Sequence, residues 1–322
     1  MSSYKHPQSV FVESVDAPHG SSAKLLASLR LPAPVKAILP WAAIDTLRLI
    51  RARVLSHRLP RNRVFEQPSD HRLASASMSI IVAIHDAPLV TKRCLASLER
   101  YARDAEVILV DDASRIPATV DMIREFGRCN GWKVISNSEA GGHSAACAAG
   151  ASLGTRPYLC LLNSDTVVTP WCWRPIQEAF ETDPAIGVAG PSTSTYGNEQ
   201  AVDEIVPCRF HWNDSQICAF AERLSVAPRK PVIMDLPCVL GFAFFIRRCL
   251  WERLGGFDCN LPDYGNEIEL CNRVSKIGYR IVWVRSSYIH HFGRQSYANE
   301  IADHELRSRA TMALEYVRQK HG

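Results

Sequence analysis

The sequence predicts an α/β fold, a mostly parallel sheet flanked by helices, with a basic and partly helical extension ahead of it. Three observations carry this prediction. From Met78 onward, short apolar segments alternate with stretches of helical periodicity, the pattern of βαβ units. The apolar segments are near-continuous rather than alternating, which suits strands covered on both faces. Each then breaks abruptly into Asp, Asn or His, as "LCLLNSD" (159–165) does.

The elements follow in order. Residues 1–34 have weak periodicity and many small or polar side chains. From Trp41 to Leu59 a helix is expected, with Leu47, Ile50 and Val54 on one face and Arg48, Arg51 and Arg58 elsewhere. "PRNRVFEQPSDHRLASAS" then reads as a linker, so a boundary is placed between an extension (1–75) and a main domain (76–322). "MSIIVAIHD", "AEVILVDDAS", "WKVISN" and "RPYLCLLNSD" read as four strands. Between them lie helical segments in "LVTKRCLASLERYA", "TVDMIREFGRCN" and the small-residue "GGHSAACAAGASLG". A helix in "CWRPIQEAFETDP" stops at Asp183–Pro184, and "IGVAGPS" is a further strand. Residues 192–232 carry no clear period and read as loops over a site. "LPCVLGFAFFIRR" and "YRIVWVRSSYIHH" are core strands, "CLWERLGG" and "EIELCNRVSKIG" are helices stopped by glycine, and "NEIADHELRSRATMALEYVRQ" is a C-terminal amphipathic helix.

Bulk properties narrow the function. At 322 residues, with 47% hydrophobic and 22% charged residues, the chain can bury a real core as a soluble globular protein. The net charge of +4 is too small to argue for nucleic acid. That charge sits at the front, where residues 1–75 hold eleven Lys/Arg against five Asp/Glu. Between Asp45 and Glu66 there are six arginines and no acid. A basic amphipathic helix can lie on anionic lipid, or can pack its apolar face on the main domain and solvate its arginines. Eleven cysteines occur singly, without a C-x-x-C pair, as in a reducing compartment; Cys160 and Cys249 read as small buried apolar residues. No apolar stretch reaches the roughly 18 residues a membrane span needs. The N-terminus lacks a signal-peptide core. A cytoplasmic location is expected, with peripheral contact at the inner face of the cell membrane through the basic helix.

The chemistry gathers where the strands stop. His85–Asp86, Asp111–Asp112, Asn137 and Asn163-Ser164-Asp165 each end a buried strand. In a parallel sheet these ends share one edge, where α/β proteins bind ligands. Turn chemistry explains any one of them, but four in succession point to a crevice. Neighbouring carboxylates repel unless a cation intervenes, and Mg²⁺ or Mn²⁺ takes oxygen ligands together with substrate phosphates. The glycine pair Gly141–Gly142 lets backbone approach a ligand closely, although close helix packing explains it equally well.

"SIIVAIHD", "EVILVDDAS", "LLNSDTVVTPWCW", "GFAFFIRRCLWERLGGFD", "YGNEIELCNRVSKIGYR" and "YIHHFGRQS" occur in the order seen in family 2 glycosyltransferases. Over Ser77–Ser296 the chain resembles bacterial inverting transferases with the GT-A fold, similar to rhamnosyltransferases and other polysaccharide-assembly enzymes. The resemblance implies a hexosyl- or deoxyhexosyltransferase. Its donor would be a nucleotide-diphosphate sugar, its acceptor a glycan or lipid-linked glycan, its cofactor Mn²⁺ or Mg²⁺. It implies nucleotide contacts at Asp86, Asp112, Asn137, Gly142 and Asn163. It implies metal ligation by Asp165 and His290, with His291 the alternative, and a general base at Glu267, with Glu269 two residues on. Four positions depart from the family pattern: Asn266 replaces an acid, Glu267 is longer than Asp, His85 stands where Tyr is common, and Ala148 replaces a frequent Asn. Trp171 and Trp173 would line the acceptor side or pack in the core.

Two other readings are weighed. A dinucleotide-binding oxidoreductase needs its glycine fingerprint after the first strand, and "IHDAP" occupies that place. A non-catalytic nucleotide-sugar-binding or scaffold protein of the same fold is the alternative that the four departures keep open.

Overall fold

The computed structural model describes residues 59–194, 199–202, 212–226, 228, 230–293 and 303–322. Apart from Leu59, the helix read over 41–59 lies outside the described residues, as does the rest of the extension before it. In chain order the elements are α1 (Ser69–Ser75), β1 (Met78–Ile84), α2 (Pro88–Tyr101), β2 (Glu106–Asp111), α3 (Pro117–Asn130) and β3 (Lys133–Ser136). Next come α4 (Gly142–Ser152), β4 (Tyr158–Asn163), β5 (Thr166–Val167), α5 (Trp173–Thr182), β6 (Ile186–Ser192) and α6 (Asp214–Val226). The chain continues through β7 (Ile233–Asp235), β8 (Ala243–Arg247), α7 (Arg248–Leu254), α8 (Asn266–Lys276), β9 (Arg280–Tyr288), β10 (His290–His291) and α9 (Asp303–His321).

An eight-stranded sheet runs in the order β3-β2-β1-β4-β8-β6-β9-β7, and β10 pairs with β5 in a separate ribbon. β1 is parallel to β2 and β4, β2 to β3, and β6 to β9. β8 lies antiparallel to β4 and β6, and β7 antiparallel to β9. The sheet is thus mostly parallel and mixed, and the α/β class is as the sequence predicts. Strand order reverses between β1 and β4, so the fold has its switch point there.

Strand alternation divides the core into two layers. Ile80, Val82 and Ile84 of β1 face one side with Leu95 and Leu98 of α2 and Ile176 and Phe180 of α5. Ile81 faces the other side with Ala146 and Cys147 of α4 and Leu270 and Val274 of α8. The small residues of α4 serve this packing: a Cβ on Gly150 would strike the Ile81 side chain and come within 3.0 Å of Val110. Trp173 is wholly buried, its Nε1–H donating to the Tyr101 carbonyl at 2.6 Å, so it is a core residue. Trp171 packs edge-on against Phe65, ring centroids 5.7 Å apart.

Three expectations need correction. The supposed linker is docked onto the main domain: Phe65 is buried, α1 packs on α5, and Gln67 Nε2 donates to the Tyr101 carbonyl at 2.7 Å. Pro68 ends the extended strap and starts α1. Within 192–232 a helix, α6, replaces part of the expected loop. Its signal was the reciprocal cap in which Asn213 Oδ1 accepts from Gln216 N (2.9 Å) and Gln216 Oε1 accepts from Asn213 N (3.1 Å). Cys160 is buried as expected, whereas Cys249 is exposed on α7. Among the described residues no helix is long and apolar enough to cross a membrane.

Candidate active site

Strand register brings the polar ends level. Ile84 pairs with Asp111, Asp111 with Ser136, and Ala83 with Asn163. β8 enters from the opposite direction with Ala243 opposite Leu162, so Gly241 and Phe242 arrive at the same edge. Asn163 N donates to the Phe242 carbonyl at 2.9 Å and joins the two segments.

The acids at this edge do different work. Asp86 is buried, and its Oδ1 accepts from the backbone N–H groups of Arg115 (2.9 Å) and Ile116 (2.8 Å), just ahead of α3. Asp112 is also buried; Oδ1 accepts from Asn137 Nδ2 (2.8 Å) and Gly141 N (2.9 Å), and Oδ2 from Gly142 N (2.8 Å). Both carboxylates therefore fix the loops that wall the crevice. Asn137 acts within that network. Asp86, Ala87 and Ala113 hold φ between 50° and 56°, the left-handed region that ordinary side chains avoid. Such strain gathers at ligand edges, where the surrounding contacts over-determine it. Gly142, at φ 82°, could not carry a side chain, because a Cβ would lie 2.9 Å from Pro262 and 3.0 Å from Asp263 Oδ1. The turn thus carries residues 261–263 directly on the N-terminus of α4, where Ser144 N donates to the Pro262 carbonyl at 2.8 Å.

Asp165 follows β4 and is 4% exposed. Its neighbour is His291, whose Nε2 lies 3.1 Å from Asp165 Oδ1. The ribbon explains this: β10 pairs His291 with Thr166 and His290 with Val167, and adjacent strand residues face opposite ways. His290 is wholly buried, its Nδ1 2.7 Å from the Tyr288 hydroxyl and its ring packed on Phe292. The expectation of His290 beside Asp165 is therefore corrected to His291. Phe242 stacks on the His291 ring at 5.1 Å and 17°, fixing its plane.

Glu267 opens α8 and reaches over Gly241, where a Cβ would overlap the carboxylate, with Cδ 2.8 Å away. Burial pushes its pKa up, against the opposing pull of the Gly241 and Glu267 backbone N–H groups. Gly241 thus meets Glu267 while its neighbour Phe242 meets His291, so one two-residue segment touches both groups. Glu269 is elsewhere. It is wholly buried, with Arg273 Nε 2.9 Å and Lys320 Nζ 2.8 Å away. Burial alone would raise its pKa, but Arg273, Lys320 and His321 hold it below the usual range. The expectation of Glu269 as an alternative base is corrected: its charge is consumed in an ion-pair hub. Asn266, also wholly buried, donates from Nδ2 to Ser144 Oγ (2.8 Å) and accepts from Glu267 N (2.9 Å), a role that an acid could fill only in part.

His143 escaped the sequence reading, although "GGHS" placed a histidine at the start of a helix at the crevice. Burial lowers its pKa, while Asp263, Asp112 and Asp165 pull it up, and its Nε2 lies 3.5 Å from Cys147 Sγ. Among the described residues no three His, Cys, Asp or Glu side chains converge to hold a cation. Asp165 and His291 offer one carboxylate and one imidazole, a donor set that suits Mn²⁺ completed by substrate oxygens.

Residues 79–212 match the family model described as Glycosyl transferase family 2. Uncharacterised proteins of Mycobacterium bovis and Mycobacterium tuberculosis are 30% identical over 91 residues, 27% of this chain. That match spans 35% of the length of these curated relatives. Among solved structures, GalNAc-T7 with UDP, GalNAc and Mn²⁺ matches at a TM-score of 0.53 and 21% identity, over 66% of this chain and 42% of its own. The mannosyltransferase PcManGT from Pyrobaculum calidifontis, in complex with GDP-Man and Mn²⁺, matches at 0.52 and 17% identity, over 87% and 72%. At these identities the structural likeness shows the fold, which is GT-A, and over residues 79–212 the family resemblance read from the motifs is borne out.

Proposed function

We propose that this chain, whose residues 79–212 carry the family 2 glycosyl transferase pattern on a GT-A fold, is an inverting glycosyltransferase. It moves a hexosyl or deoxyhexosyl group from a nucleotide-diphosphate donor to a hydroxyl of a glycan or lipid-linked acceptor. One observation carries this reading: an acid–imidazole pair, buried Asp165 and half-buried His291, and a half-buried carboxylate with a raised pKa, Glu267, flank the same Gly241–Phe242 segment. The presence of Mn²⁺ with UDP or GDP-Man in the two structural neighbours supports a divalent cofactor and a nucleotide-sugar donor.

Asp165 and His291 would hold the cation, which when bound supplies Lewis-acid neutralisation of the diphosphate charge that grows on the leaving group. Asp86, Asp112 and Asn137 hold the 113–116 and 137–142 loops rigid, and Gly142 and Asn163 border the same crevice, so the nucleotide meets a preformed wall. Glu267 accepts the proton of the acceptor hydroxyl as its oxygen attacks the anomeric carbon. A raised pKa suits this, because a stronger base takes the proton more readily. Phe242 shields the imidazole and Gly241 leaves room for the carboxylate.

The test is a screen of UDP-, dTDP- and GDP-sugars by thermal shift and by donor turnover, each with and without Mn²⁺. A donor that raises the melting temperature only with Mn²⁺, and turnover lost in Asp165→Asn, are expected. Turnover undiminished in Asp165→Asn would overturn the site. Donor binding without turnover under any condition would favour a non-catalytic binding protein.

A further inference from the structure

α9 meets the segment that carries Glu267 at both of its ends. Lys320 Nζ lies 2.6 Å from Asp258 Oδ2 and 2.8 Å from Glu269 Oε1. The Tyr316 hydroxyl donates to the same Asp258 oxygen at 2.9 Å, and Asn260 Nδ2 donates to the Tyr316 hydroxyl at 3.2 Å. His321 Nε2 stands 3.2 Å from Glu269 Oε1, while Lys276 Nζ lies 3.0 Å from His321 Nδ1. An ammonium can only donate, so Nδ1 accepts, and Nε2 carries the proton given to Glu269. Midway, α9 packs on the residue before α8: a Cβ at Gly265 would lie 3.4 Å from Ala313 Cβ and 3.5 Å from Val317.

These contacts bracket one stretch. Asp258 begins the loop that runs to Gly265, and Glu269 lies two residues beyond Glu267 on the first turn of α8. The other side of the loop rests on the glycine turn, through Leu261 and Pro262 on Ser144 and Asp263 on His143. The loop is thus held between the wall of the crevice and α9. Glu269 is wholly buried, so its charge must be answered where it sits, and Lys320 and His321 of α9 answer it together with Arg273.

We propose that Lys320 is a positioning residue for Glu267: by bridging Asp258 and Glu269 it fixes both ends of the 258–269 segment and so sets the reach of the base toward the acceptor hydroxyl. The inference deepens the proposed function and rests on it. Lys320 touches no group assigned to donor or cation. Its loss therefore acts on the chemical step and not on donor affinity.

The experiment compares wild type, Lys320→Met, Lys320→Arg and Tyr316→Phe in full-length protein by steady-state kinetics and by amide hydrogen exchange. Lys320→Met is expected to lower kcat about tenfold to hundredfold with donor KM within about twofold, since a shift of about 1 Å at a catalytic group costs about this much. Lys320→Arg should restore most of the turnover. Exchange should rise over residues 258–269 and stay unchanged in β1 and β4. A folded Lys320→Met protein with unaltered kcat, or with kcat and donor affinity reduced together, overturns the proposal. If Lys320→Met does not fold, Tyr316→Phe is read by the same criteria, with a severalfold fall in kcat expected and an unaltered kcat overturning it. If wild type transfers no sugar at all, the functional reading fails on its own. Hydrogen exchange then decides the positioning claim separately, and unchanged exchange over 258–269 overturns it.

Discussion

His291 Nε2 lies 3.1 Å from Asp165 Oδ1 because the two-stranded ribbon sets His291 opposite Thr166, while His290 turns inward to the Tyr288 hydroxyl. Neighbouring histidines thus have different surroundings, and their contributions can be tested apart. His291→Ala should weaken Mn²⁺ activation about tenfold to hundredfold, read as the midpoint of an Mn²⁺ titration of turnover. His290→Ala should leave that midpoint in place and lower the melting temperature, because it empties a packed site and removes one hydrogen-bond partner of the buried Tyr288 hydroxyl. The opposite pattern would return the ligand role to His290.

Glu267→Gln should reduce turnover about 10²-fold to 10⁴-fold with donor binding retained, the usual range for a general base. Gly241→Ala offers an independent check. Its added methyl falls on the Glu267 carboxylate, so turnover should fall about 10²-fold while the melting temperature changes little. Full activity in Gly241→Ala would show that the carboxylate has no fixed place in the reaction.

The raised pKa of Glu267 sets the sign of two pH effects. Only the ionised form can take a proton, so kcat/KM should fall as pH drops through a value above the about 4.3 of ordinary glutamate. For stability the sign is opposite. A carboxyl whose pKa is raised in the folded state favours folding below its unfolded pKa, and that contribution is lost as pH rises through the folded value. The melting temperature of Glu267→Gln relative to wild type should therefore improve with rising pH. A difference independent of pH would contradict the desolvated setting of Glu267.

Asn266 and Glu269 are predicted to matter for stability more than for chemistry. Glu269→Gln removes the carboxylate that Arg273 and Lys320 share, although Lys320 keeps Asp258, and should cost about 1 to 3 kcal/mol, seen in chemical denaturation. Asn266→Asp restores the acid common in the family but removes the donor to Ser144 Oγ and buries a charge. A loss of about 2 kcal/mol is expected. A stabilised Asn266→Asp protein would show that this position is built for an acid after all.

Phe65 tests whether the strap ahead of α1 belongs to the folded unit. Buried and edge-on to Trp171, it should cost about 3 kcal/mol or more on replacement by Ala. An unchanged denaturation midpoint would make residues 59–75 the linker that their prolines and small residues first suggested.

Much of the crevice was legible because apolar strands that break into Asp, Asn or His identify their own C-terminal ends. Ile84, Asp111 and Asn163 fall near where "SIIVAIHD", "VILVDDAS" and "LCLLNSD" place them. What those acids touch was not legible. Asp112 reads as a ligand contact, yet its oxygens take the N–H groups of Gly141 and Gly142, 29 and 30 residues away along the chain. Phe65 was misread because one aromatic residue in a polar stretch gives no period. α6 was missed because its signal was a cap at Asn213 and Gln216, not a clean apolar stripe.

The amino-acid order alone determined the α/β class and the level row of polar strand ends, since these follow from local periodicity and its interruptions; the roles proposed for Asp165 and Glu267 come from the family resemblance. Tertiary structure alone decided which histidine faces Asp165 and that Glu269 is spent on Arg273, Lys320 and His321. The reason is geometric. Facing in a two-residue strand changes with a register step of one, and a buried carboxylate finds its partners across elements far apart in sequence. Neither leaves a mark in local composition.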